Sequence, residues 1–369
     1  MRGPRQAATR MQRSLRTSAA GDAVATLAAR RRTAPARARG HGSARTETGA
    51  APARRSGGSG RRLRRVCMAM ANATAGEGCE LPRTWSGMDD VVVSGGYRAL
   101  LLDQFGVLHD GKVPYPGAIE CLRSLRSRHG VKTVLISNSS RRAALTARSL
   151  AAMGFDEDLF DAVVTSGELV HQGLEQRTAA PWDSLGRRVF HVTWSARGTI
   201  SLDGLGLTVV DSIGDADFVL LHGVEGVAES KGGVREVPYV ELEAMLRDAA
   251  KSRPDVPLVC ANPDFETVAG GRAVKAMPGA LAKAYKDAGG TRVVLVGKPE
   301  PLIYSRCVET AAALGVADAK EIAAVGDSLH HDIGGAAGAG IDSVLVACGI
   351  HADKLRRESE PPESARVAE

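Results

Sequence analysis

The stretch RALLLDQFGVLHDGKVPYPGA, residues 98–118, places a short apolar run directly before a single carboxylate. Ala99 to Leu102 have the length and composition of a buried strand, and Asp103 ends the run. A charge at the end of a buried strand costs free energy unless it is paired or hydrogen-bonded. Asp103 is therefore the first candidate for a functional residue.

Short apolar runs alternate with helical patterns from residue 98 onward, which is typical of a parallel sheet covered by helices. Four of these runs end in a polar residue: RALLL (98–102) in Asp103, KTVLI (132–136) in Ser137, RVVLVG (292–297) in Lys298 and IAAVG (322–326) in Asp327. Open α/β sheets bind ligands at the carboxyl ends of their strands. We therefore expect these four side chains to meet in one pocket.

The segments between the runs predict helices and an inserted lobe. Amphipathic patterns predict helices over 118–130 and 304–314, and the middle of the chain has strands and helices of its own. We expect an α/β fold in which residues 92–165 and 276–356 form a Rossmann-like, doubly wound parallel sheet core. Residues 166–275 would form an inserted α/β cap that acts as a lid.

The positive charge of the chain is concentrated at its N-terminus. Residues 1–70 contain 17 arginines, no lysine and only two acidic residues, so this segment carries a net charge of +15. The whole chain has a formal charge of +6, which leaves −9 for residues 71–369. The basic balance therefore does not by itself indicate an acidic partner for the body.

The N-terminal segment has the composition of an organellar transit peptide: it is rich in arginine, poor in acids and lacks the apolar core of a secretory signal. We expect residues 1–75 to be a disordered transit peptide, and RRVCMAMANA (64–73) offers small residues for processing. We favour the chloroplast over the mitochondrion as its destination. A basic arm that contacts nucleic acid or a membrane is the alternative. The polar residues 357–369 are expected to be a disordered tail.

Cysteine spacing and hydropathy exclude several classes of protein. Six cysteines are scattered without a C-x-x-C pair, so neither a zinc site nor a disulfide framework is indicated. No apolar run approaches the ~18 residues that a membrane span needs. We expect neither a membrane nor a nucleic acid as a partner of the body, and the sequence assigns no oligomeric state.

The segment VGDSLHHDIGGAAGAG, residues 325–340, contains the clearest local motif. Asp327 ends a predicted strand, and Asp332 follows five residues later at the start of a Gly/Ala-rich helix. Together with Asp103 these carboxylates would cluster at one edge of the sheet, where a cation would relieve their repulsion. Mg²⁺ prefers such oxygen ligands, whereas a turn and a helix cap are the structural alternative for these two aspartates.

These motifs resemble those of the haloacid dehalogenase (HAD) superfamily of phosphatases, in particular its subclass IIA. Four motifs occur in the order of the family: LLDQFGV, VLISNSS, GKPEPLIY and GDSLHHDI. CANPDFE (260–266) and MPGALAKAYKDAGG (277–290) are similar to the subclass IIA signature that follows the cap. The resemblance covers residues 95–355 and implies an enzyme, a phosphoric monoester hydrolase.

The resemblance implies a role for each motif residue. Asp103 would attack phosphorus, Ser137 and Asn138 would bind the phosphoryl group, and Lys298 would neutralise it. Asp103, the backbone carbonyl of Phe105, Asp327 and Asp332 would hold Mg²⁺, the expected cofactor. The resemblance therefore implies a Mg²⁺-dependent phosphatase that acts on a small phosphorylated metabolite through an aspartyl-phosphate.

Phe105 departs from the family pattern, which commonly has aspartate two residues after the nucleophile. That aspartate protonates the leaving alkoxide and then activates water, and phenylalanine can do neither. General acid and base catalysis is typically worth ~10² to 10⁴-fold, so its loss would slow the hydrolysis of alkyl phosphates. The substrate would have a good leaving group, or another group such as His109 or an acid of the cap would substitute. The alternative is a catalytically weak or inactive protein that binds a phosphorylated ligand.

Residues of the cap are expected to set the substrate specificity, because the motifs contact only phosphate. A structural role is favoured for most of the candidates, and no single one is selected; they are Glu168, His171, Trp194, Arg197, His222, Asn262 and Asp264. His330 and His331 lie beside the fourth motif, and we expect them to line the rim rather than to bind a hard cation.

Overall fold

The apolar run before Asp103 forms a strand of which all residues are buried. The computed structural model describes residues 68–71, 83–196, 199–269 and 273–351. The strands are β1 (Met68–Ala71), β2 (Thr84–Trp85), β3 (Ala99–Leu102), β4 (Lys132–Ser137), β5 (Ala162–Thr165), β6 (Arg188–Thr193), β7 (Thr208–Val209), β8 (Phe218–Leu221), β9 (Gly226–Ala228), β10 (Val234–Glu236), β11 (Leu258–Cys260), β12 (Glu266–Ala269), β13 (Ala273–Ala276), β14 (Val293–Leu295), β15 (Ile322–Gly326) and β16 (Asp342–Val346). The α-helices are α1 (Met88–Gly95), α2 (Ala118–His129), α3 (Ala143–Ala152), α4 (Ser166–Gln176), α5 (Tyr239–Ser252), α6 (Pro278–Asp287), α7 (Pro301–Ala313) and α8 (Gly334–Ala339).

The first sheet orders its described strands β2-β1-β16-β15-β3-β4-β5. The strands from β16 to β5 pair in parallel, and β3 lies between β15 and β4. Because parallel strands end at the same edge, the residues at or directly after the ends of β3, β4 and β15 lie side by side. These residues are Asp103, the terminal Ser137 and Asp327, so this part of the predicted arrangement is confirmed.

The second sheet orders its described strands β10-β9-β6-β8-β11-β14, and β7 pairs with β6. Strand β14 pairs in parallel with β11, for example Val294 with Val259. The sequence analysis instead grouped the strand before Lys298 with the core, in the range 276–356. That grouping is wrong for β14, because an apolar run predicts a strand but not its neighbour.

The α/β fold class with a second, inserted sheet is confirmed.

Three hydrophobic clusters hold the two sheets and their helices together. On one face of the first sheet, Leu100 and Leu102 pack with residues of α1 and α2. On the other face, Leu101 belongs to a cluster that also includes Phe218 and Val259 of the second sheet. A third cluster joins the second sheet to α5 and α6. The two sheets therefore share one continuous core, which fixes the position of one relative to the other.

Strand β1 lies within the range 1–75 that the sequence analysis predicts to be disordered. Its backbone pairs antiparallel with β16, from Met68 opposite Val346 to Ala71 opposite Ser343. The prediction of disorder is therefore wrong for residues 68–71. A short segment can pair with an edge strand through its backbone even where the sequence has no long apolar pattern. The rest of the predicted transit peptide up to residue 75, and the predicted tail 357–369, lie outside the described residues.

The predicted helices agree closely with the structure. The pattern predicts a helix over 118–130, and α2 ends at His129 with Gly130 as its cap in the left-handed conformation (φ 63°). Among the described residues no helix is both long and apolar enough to cross a bilayer. The domain boundaries as a whole stay a prediction.

Candidate active site

Three carboxylates converge at the carboxyl edge of the first sheet. Asp103, Asp327 and Asp332 each offer an oxygen, and these oxygens lie within 4.8 Å of one another. The backbone holds two of them in place: the amide of Ile350 donates to Asp327 Oδ2 (2.8 Å), and the amide of Ser328 donates to Asp332 Oδ2 (3.1 Å). The predicted acidic cluster is therefore present in the structure.

The loop after Asp103 passes directly over Asp327. Gly106 has a left-handed backbone (φ 81°), and a Cβ atom at this position would lie 1.9 Å from Asp327 Oδ2. Only glycine fits here, because any side chain would collide with the carboxylate. Gly106, three residues after Asp103, is thus required because its backbone lies against Asp327 of the acidic cluster.

Lys298 connects the nucleophile candidate to a second carboxylate. Its Nζ lies 2.7 Å from Asp103 Oδ1 and 2.8 Å from Asp332 Oδ1, and its side chain is 4% exposed. Burial works against the charge of Lys298, but Asp103 and Asp332 outweigh it and raise the pKa of the lysine well above its ordinary value. Lys298 is therefore a cation, although its strand belongs to the second sheet.

One lysine does not neutralise three carboxylates. Burial raises the pKa of Asp103 to about 7, and Asp332 and Asp327 add to this rise while Lys298 opposes it. Burial also raises the pKa of Asp327. A divalent cation would relieve this excess of negative charge, and an all-oxygen donor set fits Mg²⁺. The residues present thus fit the expected metal.

Ser137 ends β4 and is buried beside the acidic cluster. Its Oγ accepts hydrogen bonds from Gln104 Nε2 (2.5 Å) and from the amide of Ser139 (3.1 Å). Gln104 was not among the residues that the sequence analysis selected. The only signal for it was a polar residue directly after the predicted nucleophile.

The Asn138 side chain holds the backbone of Lys298. Its Oδ1 accepts from the amide of Lys298 (2.6 Å), and its Nδ2 donates to the carbonyl of Lys298 (3.0 Å) and to Asp264 Oδ1 (2.7 Å). The expected side-chain contact with phosphate is therefore not available, because these partners occupy the amide. Asn138 instead fixes the lysine, which sequence spacing alone could not reveal.

Phe105 is 44% exposed and carries no group that could transfer a proton. Its ring meets His109 edge-on, with the centroids 5.5 Å apart. His109 was a candidate for the missing acid, but it is buried, and both ring nitrogens have partners in the amide of Gly111 and the side chain of Gln104. Burial also lowers the pKa of His109. His109 is thus not placed to protonate a leaving group.

Among the cap candidates that the structure describes, Asp264 accepts a hydrogen bond from Asn138, the residue that holds Lys298. His331 Nδ1 lies 3.8 Å from Asp264 Oδ1, so both line the same side of the site. The others have structural partners: Glu168 forms a bidentate pair with Arg142, Trp194 donates to Ser140, His222 pairs with His191, and Asn262 accepts from the amide of Asp264. Burial lowers the pKa of His171, which lies on α4. Arg197 lies outside the described residues.

Comparisons with known proteins identify the family. Sequence models described as haloacid dehalogenase-like hydrolase and HAD-hydrolase-like match residues 100–207 and 295–369. Chronophin from Rattus norvegicus is 31% identical over 267 residues, which span 70% of this chain and 79% of chronophin. Human glycerol-3-phosphate phosphatase is 28% identical over 268 residues, 68% of this chain and 79% of that enzyme.

A solved structure supports the same assignment. The crystal structure of a haloacid dehalogenase-like hydrolase from Brucella suis 1330 has a TM-score of 0.60 and 29% sequence identity, and the match covers 72% of this chain and 90% of that chain. The parallel first sheet and the inserted second sheet are consistent with this structural match. The chain belongs to the haloacid dehalogenase superfamily of hydrolases, subclass IIA.

Proposed function

We propose that this protein is a Mg²⁺-dependent phosphoric monoester hydrolase that acts on a small phosphorylated metabolite. The observation that carries the proposal is the bridge of Lys298 between Asp103 and Asp332, beside Asp327 and at the end of a parallel sheet. Phosphoryl transfer depends on charge neutralisation and positioning, and this arrangement supplies both. The similarity to human glycerol-3-phosphate phosphatase supports the same activity.

Asp103 is the proposed nucleophile. One of its carboxylate oxygens attacks phosphorus, the bond from phosphorus to the ester oxygen breaks, and an aspartyl-phosphate forms as the leaving group departs with its electron pair. Water then attacks phosphorus, which releases phosphate and restores the carboxylate. Mg²⁺, held by Asp103, Asp327, Asp332 and the backbone carbonyl of Phe105, would supply positive charge to the phosphoryl oxygens.

Lys298 and Ser137 stabilise the charge that develops during this transfer. Lys298 lies 2.7 Å from Asp103 Oδ1, so its ammonium group is close to any phosphoryl group that bonds to this carboxylate. Ser137 adds a hydroxyl donor at the end of the neighbouring strand. Both groups are buried, and electrostatic stabilisation is stronger where water is excluded.

Phe105 restricts the substrates that this site turns over rapidly. Without a proton donor at this position, the leaving group must depart as an anion, which aryl and acyl phosphates allow and alkyl phosphates resist. We therefore propose that the preferred substrates have a leaving group of low pKa. A protein that binds a phosphorylated ligand without turnover is the second candidate, and the same missing acid favours it.

The test is a screen of phosphorylated compounds with the wild type and the Asp103→Asn variant, with Mg²⁺ or with EDTA. We expect the wild type to hydrolyse p-nitrophenyl phosphate faster than glycerol phosphate, and both EDTA and Asp103→Asn to abolish the signal. Equal signals from the two proteins would contradict the proposal. Mg²⁺-dependent phosphate binding without turnover of any compound would favour the second candidate.

The leaving-group argument has its own test in Phe105→Asp, with Phe105→Asn as the control of equal shape that cannot donate a proton. The ratio of the Asp to the Asn variant removes any loss of packing. We expect this ratio to reach roughly 10²-fold for glycerol phosphate and to stay near unity for p-nitrophenyl phosphate. The same ratio for both substrates would contradict the argument.

We also propose that the arginine-rich N-terminal segment directs the protein to an organelle, with the chloroplast favoured, and is then removed. β1 covers the edge of β16, so a cut within residues 68–71 would expose that edge. Cleavage before Met68 is therefore expected. Sequencing the N-terminus of the mature protein from its organelle checks this, and an intact segment would contradict it.

A further inference from the structure

Gln104 and His109 form a chain of hydrogen bonds that ends on the hydroxyl of Ser137. Gln104 Nε2 lies 2.5 Å from Ser137 Oγ, and His109 Nε2 lies 3.4 Å from Gln104 Oε1. At the far end the amide of Gly111 donates to His109 Nδ1 over 2.9 Å. Of these residues, Ser137 alone has a role in the proposed phosphoryl transfer.

The backbone amide of Gly111 sets the direction of the whole chain, because a backbone N–H can only donate. His109 Nδ1 must then accept, so a neutral His109 carries its proton on Nε2 and donates it to Gln104 Oε1. This orients the Gln104 amide with Nε2 towards Ser137, as a donor.

Ser137, at the end of this chain of hydrogen bonds, can act only as a donor to a further group. A hydroxyl has two lone pairs and one hydrogen, and Ser137 Oγ already accepts from Gln104 Nε2 and from the amide of Ser139. Its hydrogen is therefore directed to a further acceptor. A phosphoryl oxygen is such an acceptor, and a hydrogen bond to a charged oxygen is stronger than one between neutral groups.

We propose that Gln104, supported by His109, is a positioning residue that makes Ser137 a dedicated donor to the phosphoryl group. The proposal rests on the proposed function and extends it to residues that do not touch the substrate. Phe105 is not part of the chain of hydrogen bonds but packs against it. Its ring meets His109 edge-on, and it lies so close to Gly111 that a Cβ atom at position 111 would be 2.7 Å from the ring. The aromatic residue at this position thus supports the histidine that orients Gln104.

Two substitutions of Gln104 separate this role from a general structural one. Gln104→Glu has nearly the same shape, but its carboxylate accepts the Ser137 hydrogen and turns it away from phosphate. Gln104→Met removes the donor and leaves the hydroxyl free to rotate. Gln172→Glu is the matched control, since Gln172 also has a side-chain hydrogen bond but donates to Glu168 on α4.

The measurement is the calorimetric affinity of the full chain for inorganic phosphate in the presence of Mg²⁺. We expect Gln104→Glu to weaken binding at least about ten-fold, Gln104→Met about two- to five-fold, and Gln172→Glu not at all. In a Ser137→Ala background, Gln104→Met should cause no further loss, because the hydroxyl that it orients is gone.

Three results would be decisive against the proposal. Unchanged affinity in both Gln104 variants, or a loss in Gln104→Met that is equally large with and without the Ser137 hydroxyl, would overturn the positioning role alone. A wild type that does not bind phosphate would overturn the proposed function as well. The failure of one proposal is thus distinguishable from the failure of both.

Discussion

The two sheets follow the same topological rule but end in different chemistry. In the first sheet, β3, β4 and β15 lead to Asp103, Ser137 and Asp327. In the second sheet, polar residues also lie at or near the strand ends: Thr193 ends β6 and Trp194 follows it, His222 follows β8, and Asn262 lies shortly after β11. Position at a carboxyl edge is thus common to both sheets and does not by itself define a site.

The difference lies in whether the polar groups at each edge already have hydrogen-bond partners and neutralising charges within the protein. Apart from Lys298, which follows β14, those at the end of the second sheet are neutral and paired: His222 bonds to His191 (2.9 Å), and Asn262 accepts from the backbone. At the end of the first sheet, three carboxylates share one lysine. A ligand is required only where charge remains uncompensated, so the first edge is a site and the second supports it.

Substitution of Lys298 is the strongest test of this comparison. Lys298 follows β14 of the second sheet, and its ammonium group neutralises carboxylates at the end of the first sheet. Lys298→Met should reduce kcat/KM about 10³-fold, since it removes a buried cation from the transferring phosphoryl group. It also leaves Asp103 and Asp332 without their common partner. Steady-state kinetics with saturating Mg²⁺ and p-nitrophenyl phosphate measure the effect.

The matched control is Lys283→Met on α6. Lys283 also pairs with a carboxylate, that of Asp287, but both side chains are largely exposed. Exposed pairs contribute little, so activity and stability should stay close to those of the wild type. A loss below ten-fold in Lys298→Met would show that the second sheet supplies no essential charge.

Asn138 tests the connection between the sheets and should have the next largest effect. Asn138→Ala removes both hydrogen bonds to the backbone of Lys298 and the one to Asp264. The lysine keeps its charge but loses its fixed position, so we expect kcat/KM to fall about 10- to 10²-fold. Circular dichroism should show that the fold is retained.

Ser166→Ala provides a second connection for comparison. Ser166 Oγ donates to the carbonyls of Ser139 and Ala261, and so links the same loop to the second sheet without touching Lys298. This variant should lose stability while its activity stays within a few-fold of the wild type. If both variants lose the same activity, the loss reflects the general attachment of the sheets rather than the placement of the lysine.

The local pattern of the sequence predicted the three strands of the first sheet that lead to the site, β3, β4 and β15. The runs before Asp103 and Asp327 are strands at the predicted positions, because apolar composition and length are properties of each segment. The acidic cluster followed from the rule that parallel strands end at one edge. These predictions needed no knowledge of which segments far apart in the chain make contact.

The parts that the sequence did not reveal depend on long-range contacts. β14 pairs with β11, and an apolar run contains no information about its neighbour. Asn138 lies 160 positions before Lys298, yet its Oδ1 accepts from the lysine amide at 2.6 Å. The roles of Asn138 and Gln104 are set by hydrogen bonds of single side chains, and residue type alone allows many other partners.

The histidine pair of the second sheet should produce the smallest of the three effects, on stability rather than activity. His191 and His222 are buried, and burial lowers the pKa of His191 to about 3 and that of His222 well below its ordinary value. The folded state thus keeps both rings neutral where the unfolded chain binds protons. Stability is complete above the unfolded pKa of about 6.5 and is lost as the pH falls from there towards 3.

His191→Phe should flatten this dependence. For one histidine the expected loss of unfolding free energy between about pH 7.5 and about pH 5.5 is about 1.4 kcal/mol, and the variant should lack that contribution. Phe190→Leu is the control: it disturbs a neighbouring buried ring that does not titrate, so it should lower stability equally at both pH values. Urea denaturation at the two pH values measures the slopes. A variant that keeps the wild-type slope would show that the ring of His191 is charged in the folded protein, and the second sheet would then hold an uncompensated charge of its own.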